Sequence, residues 1–180
     1  MEKLIDLLDR PIVLVGLMGV GKSTVGRRLA ARLNLPFVDS DSAIEDAAGG
    51  VSVAEMFERF GEEEFREGER RLVARLVDGE LRVIATGGGA FIDRQTRELL
   101  KQRAITVWLD APVAVLAERT ARRDTRPLLH NDDRGEVLAR LDLERRPKYA
   151  EADIHVHSGM GAHGEVVDAI IAALRERVGQ

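Results

Sequence analysis

The chain contains no cysteine, which excludes disulfides and thiolate metal sites and makes a reducing compartment the simple expectation. Nor does it carry a large excess of one charge, since 27 basic residues stand against 31 acidic ones. That balance offers no general electrostatic footprint for nucleic acid or an anionic membrane. Nothing repeats at a fixed period, and no low-complexity tract or linker interrupts the chain. Long apolar runs are missing as well. The longest, "PIVLVGLMGVG", follows a segment with three acids, "MEKLIDLLDR", and leads into "GKST" rather than a cleavage site. It is too short and too rich in glycine to span a bilayer. A soluble, cytoplasmic protein is expected, and its 180 residues suit one domain with a real core.

What is present alternates. Short apolar or β-branched runs at Pro11–Gly16, Pro36–Asp39, Leu81–Thr86, Ile105–Asp110 and Asp153–His157 are each too brief for a helix and predict buried strands. Between them lie amphipathic segments. Phe65, Leu72, Val73, Leu76 and Val77 share one helical face of Glu62–Val77, and Val166, Val167, Ile170, Ile171, Leu174 and Val178 share one of Glu165–Val178. Strands alternating with helices predict an α/β fold, a parallel sheet with helices on both faces.

The first strand runs into "GLMGVGKST", Gly16 to Thr24, which satisfies G-x-x-x-x-G-K-S/T and is followed by the helical "VGRRLAARL". Such glycines let successive backbone N–H groups turn inward as an anion nest, and the next helix adds the positive end of its dipole. Lys22 then reaches the β- and γ-phosphates while the Ser23 hydroxyl serves Mg²⁺. A nucleotide-binding set of Gly19, Val20, Gly21, Lys22, Ser23 and Thr24 follows. The motif indicates a nucleoside triphosphate without choosing among kinase, ATPase and GTPase. No N-K-x-D guanine-reading box occurs, which disfavours a GTPase switch.

A kinase needs an acceptor site. The second strand ends "FVDSDSAIE", placing Asp39 and Asp41 beyond its carboxyl end, where ligands gather in open parallel sheets. On an extended chain residues at i and i+2 point the same way, so one carboxylate suits the Mg²⁺ hydration shell and the other an attacking hydroxyl. The plainer role is a cap for a helix starting near Ser42. Arg66 has Glu62 four residues earlier, a simple surface pair. Arg145, before Pro147, suits the carbonyls of a helix end. The irregular stretch Ala121–Gly135, "ARRDTRPLLHNDDRG", reads as a solvated loop or a mobile lid, with Arg126 placed to donate to phosphates. Arg119 can stack its guanidinium on a base. "TGGGA", Thr86 to Ala90, marks a tight turn or a wall against which a ligand lies close to backbone.

Taken in order, "GLMGVGKST", "VDSD", "GEEEFR", "TGGGA", "RTARRDTRPLL" and "RRPKY" resemble shikimate kinase over nearly the whole chain from Pro11 onward. The resemblance implies the small P-loop kinase fold, a five-stranded parallel sheet of order 2-3-1-4-5, as one domain over residues 1–180 with a substrate region near 39–70 and a lid near 121–135. It implies transfer of the γ-phosphate of ATP to the 3-hydroxyl of shikimate, with Mg²⁺; a monomer with no nucleic-acid or membrane partner is expected. Carried over by position, Asp41 meets the ring hydroxyls and Arg66 and Arg145 the carboxylate, with Gly87, Gly88 and Gly89 alongside. Asp39 stands near Mg²⁺ with Ser23, Arg126 on the phosphates and Arg119 on the adenine, leaving Lys22, Asp41 and Arg126 as the catalytic set. Where the family often reads R-x-P-L-Y, this chain has Lys148 before Tyr149, and the neighbouring Arg146 competes with Arg145 for its role. A gluconate or nucleoside-monophosphate kinase is the nearest alternative.

The segment before Pro11 predicts a leading helix or a loose terminus. "HVH", His155 to His157, places two imidazoles on one strand face. With no third ligand nearby in sequence, a polar strand face is expected there rather than a zinc site. His130 and His163 read as loop residues, and Trp108 as strand packing.

Overall fold

The computed structural model describes residues 4–123, 131–159 and 161–179. Its strands, β1 (Ile12–Val15), β2 (Phe37–Asp39), β3 (Val83–Ala85), β4 (Ile105–Asp110) and β5 (Ile154–His157), form a parallel sheet of order β2-β3-β1-β4-β5. Every strand falls inside a run that its sequence predicts. The central strand β1 is solvent-free along its whole length, because it pairs with β3 on one side and β4 on the other. This explains a continuous apolar run in place of alternation. At the edge, β5 alternates instead, burying Ile154 and Val156 and turning His155 and His157 outward.

The helices surround this sheet. A short α1 (Leu4–Leu7) precedes β1 and leans on the last helix, so the described part of the leading segment contains a single helical turn. Helix α2 (Lys22–Leu33) packs against β1, β2, β3 and α8 (His163–Val178). Helix α3 (Ser40–Ala47) packs on α4 (Val53–Val77), α4 on α5 (Arg94–Arg103), and α6 (Val113–Arg123) on α7 (Asn131–Tyr149). Caps set several starts. Ser52 accepts from Glu55 N–H, and Asp93 accepts from Thr96 N–H, contacts of a kind that contribute about 1 kcal/mol each.

Helix α4 is two helices joined at Gly61, whose φ of 81° and ψ of 170° are far from helical. Only glycine adopts that backbone without strain, so Gly61 is a hinge that starts the second segment at Glu62, the boundary expected from sequence. The lid expected over 121–135 falls only partly on described residues. Residues 121–123 belong to α6 and 131–135 to α7, and the intervening residues, with Arg126 and His130, lie outside the described ones. Among the described residues no helix is long and apolar enough to cross a membrane.

Tyr149, at the end of α7, is buried between Phe91 and Trp108, with ring centroids 6.5 and 6.1 Å away. Its hydroxyl donates to the Gly88 carbonyl at 2.6 Å. One buried side chain therefore ties α7 to the glycine run.

Candidate active site

The carboxyl ends of β1, β2 and β3 bring the predicted residues together. In the loop after β1, Gly16, Gly19 and Gly21 have φ of 141°, 82° and 100°, the positive values that aim consecutive N–H groups to one side. Gly21 precedes α2 without a side-chain cap, so no capping side chain satisfies the N–H groups of its first turn, among them those of Ser23 and Thr24, the arrangement that suits an anion. Lys22 folds over the loop and donates to the carbonyls of Gly16 (2.7 Å) and Leu17 (2.9 Å). Burial holds its ammonium down to about 8, against the opposing pull of Asp41 and Asp39.

Asp39 performs two jobs. One carboxylate oxygen accepts from the N–H groups of Asp41 (3.1 Å) and Ser42 (3.3 Å), capping α3, and the other accepts from the Ser23 hydroxyl at 2.5 Å. The cap expected from sequence is therefore present, and the second oxygen is left to meet Ser23. The premise that Asp41 extends the strand is corrected, since β2 stops at Asp39 and Asp41 lies in the first turn of α3. Its carboxyl is pushed up by burial first and by the neighbouring Asp39 second, with Lys22 and Arg66 acting in the other direction.

The glycine run organises the rest. None of Gly87, Gly88 and Gly89 has positive φ, so backbone freedom does not explain them. Close approach explains Gly87 and Gly89. A Cβ on Gly87 would sit 2.6 Å from Asp41 Oδ1, and one on Gly89 would sit 2.8 Å from Arg66 Cζ. A Cβ on Gly88 would meet Met18 N at 3.6 Å and Arg145 Nη1 at 3.7 Å, ordinary contacts. Three consecutive residues therefore face the carboxylate and the two guanidiniums assigned to the acceptor. Beside them opens a cleft of about 630 Å³ lined by Glu62, Arg66, Arg70, Gly89, Asp93 and Arg145, among others.

Arg66 has a partner that its sequence neighbours conceal. Glu62 is 3.7 Å away and exposed, but the buried Glu69 accepts from Nη1 at 2.6 Å. Burial raises the Glu69 carboxyl, and Arg66 opposes this. Within "GEEEFREGERR" three acids, Glu62, Glu63 and Glu69, stand three or four residues from Arg66, and only the helix's inward face selects Glu69. Arg145 and Arg146 also separate. Arg145 donates to the Gly88 carbonyl at 3.4 Å, whereas Arg146 turns away and grips Asp110 through two nitrogens at 2.8 and 2.9 Å. Arg119 donates to the carbonyls of Val20 (3.1 Å) and Gly159 (2.8 Å), placing its guanidinium beside the phosphate loop. His163, expected as a loop residue, opens α8 and lies next to Gly21. Arg126 lies outside the described residues.

The family model described as shikimate kinase matches residues 18–175. A shikimate kinase of Caulobacter vibrioides is 51% identical over 175 residues, 97% of this chain and 87% of the relative. The chain belongs to the shikimate kinase family. Another shikimate kinase, from Paramagnetospirillum magneticum, is 58% identical over 151 residues, covering 84% of this chain and 77% of the relative. Among solved structures, a shikimate kinase from Acinetobacter baumannii in complex with shikimate superimposes with a TM-score of 0.86 at 37% identity, covering 97% of this chain and 98% of that one. Membership of the shikimate kinase family accounts for the sheet order and for the succession of motifs from the phosphate loop to "RRPKY".

Proposed function

We infer that the protein transfers the γ-phosphate of ATP to the 3-hydroxyl of shikimate, giving shikimate 3-phosphate and ADP. The observation that carries this reading is the convergence of Arg66, Arg145 and Asp41 on three glycines beside a phosphate loop. Shikimate is a small ring with one carboxylate and three hydroxyls. Guanidinium forks suit the carboxylate, a carboxylate acceptor suits a hydroxyl, and bare backbone lets a flat ring lie close. A gluconate or nucleoside-monophosphate kinase does not call for this combination.

A divalent cation fits beside Ser23 and Asp39, where a hydroxyl and a carboxylate form the hard-oxygen set that Mg²⁺ favours. When bound, Mg²⁺ neutralises charge on the transferring phosphates. Lys22 exchanges its loop carbonyls for phosphate oxygens, and Asp41 orients the attacking hydroxyl and takes its proton. Arg126 is assigned to the phosphates from its motif, and Arg119 holds the adenine side. Transfer is direct, with no covalent phosphoenzyme.

ADP release with Mg·ATP and each of shikimate, gluconate, AMP or no acceptor tests the reading. ADP formation is expected to depend on shikimate, and a rate indifferent to it overturns the assignment. Arg145→Ala should raise the KM for shikimate by about 10–100-fold, the worth of one or two charge-assisted hydrogen bonds, with ATP binding near normal. Arg146→Ala should instead lower the melting temperature, because it strips the buried Asp110 of its main partner.

A graded response is expected along the glycine run. Gly89→Ala must push the Arg66 guanidinium aside and Gly87→Ala the Asp41 carboxylate, so both should cost activity while leaving the fold nearly intact. Gly88→Ala finds room against Met18 and should be the mildest of the three in its effect on the shikimate KM.

A further inference from the structure

Strand β5 carries His155 and His157 outward next to β4, and the parallel register sets Asp110 beside His157 and Trp108 beside His155. The third ligand missing from the local sequence is therefore supplied by the neighbouring strand. His155 Nε2 lies 3.1 Å and His157 Nδ1 3.7 Å from Asp110 Oδ2, and the three ligand atoms all lie within 4.8 Å of one another. A zinc ion bound at about 2.0–2.1 Å in tetrahedral geometry spaces its ligand atoms roughly 3.4 Å apart. The two measured separations bracket that value. The side chain of His157 is 80% exposed, so its ring has room to close the remaining gap.

We propose that Asp110, His155 and His157 form a site for a divalent transition-metal ion of the zinc class, separate from the cation position at Ser23 and Asp39. Two imidazoles and one carboxylate select zinc-like ions over Mg²⁺, which prefers oxygen ligands. His155 is preset, because its ring stacks on Trp108 at 4.0 Å between centroids with 13° between planes. The fourth position is open to water.

Arg146 is the competitor. Its Nη1 occupies Asp110 Oδ2 at 2.9 Å and must withdraw for a metal to bind there. It does not lose all its partners, since Asp142 already accepts from its Nη2 (3.2 Å) and Nε (3.3 Å). Two carboxylates against one guanidinium leave a net negative site when the imidazoles are neutral, which favours a cation. The backbone supports the ligand end, with Ser158 N–H donating to the Asp110 carbonyl at 2.6 Å.

The test is calorimetric titration of the tag-free full chain with Zn²⁺, without nucleotide, for the wild type and for His155→Ala, His157→Ala and His163→Ala. One zinc per chain is expected. Each of the first two substitutions should weaken binding by at least the ~10–100-fold that loss of a mere supporting group costs. His157→Ala removes an exposed ring and spares the fold, and His163→Ala should bind like the wild type. Excess Mg²⁺ should leave the zinc isotherm unchanged. The proposal is overturned if no zinc binds, if His157→Ala binds as tightly as the wild type, or if Mg²⁺ displaces the zinc, which would locate it at Ser23 and Asp39.

Discussion

Asp41→Asn is expected to lower kcat by roughly 10²–10⁴-fold, the range for loss of a positioned general base, while the melting temperature holds or rises. The two halves of this outcome have one cause. Burial and the nearby Asp39 charge make an ionised Asp41 costly in the folded protein, and the amide removes that cost along with the proton acceptor. Asparagine keeps the size and the hydrogen-bonding reach of the side chain beside Gly87, so ATP binding should change little. Single-turnover kinetics with ATP and shikimate, read beside thermal denaturation, check it. A kcat within a few-fold of wild type would remove Asp41 from the role of base. A collapsed melting temperature would make it a structural residue.

Lys22→Met is expected to cost about 10²–10³-fold in kcat, as loss of a preorganised donor to developing charge does elsewhere, and to weaken ATP as well. The fold should tolerate it. Burial already holds the ammonium down to about 8, so a neutral side chain of similar length spares the desolvation. Against that gain stand the hydrogen bonds to Gly16 and Leu17 and the attraction to Asp41 and Asp39, so a melting temperature close to wild type is the net expectation. Steady-state kinetics and calorimetric ATP binding on the same preparation separate the two effects. If kcat is unchanged and only the KM for ATP rises, Lys22 acts in binding alone.

Both residues illustrate where sequence was readable. The phosphate loop is local: its glycines, lysine and serine are contiguous, and their geometry follows from backbone conformation within a few residues. The strands were equally legible, the inner ones because a parallel sheet covered on both sides needs uninterrupted apolar runs. The acceptor residues were nameable through the family's motif order, yet their partners were not. Glu69 is one acid among several near Arg66, and only the burial of its helix face distinguishes it. Asp110 stands 45 residues from His155, a distance in sequence that hides a ligand lying 3.1 Å away.

The amino-acid sequence alone determined the α/β class, the sheet order through its family, the nucleotide loop and the candidates Asp41, Arg66, Gly87–Gly89 and Arg145. Tertiary structure decided what those residues are for one another. It separated Arg145 from Arg146, because consecutive residues on a helix point about 100° apart and only one of them meets the glycine run. It also gave Gly87 and Gly89 their reason, which is close approach to Asp41 and Arg66 rather than unusual backbone angles. Clearance of that kind is set by side chains arriving from other elements, and no local pattern records it.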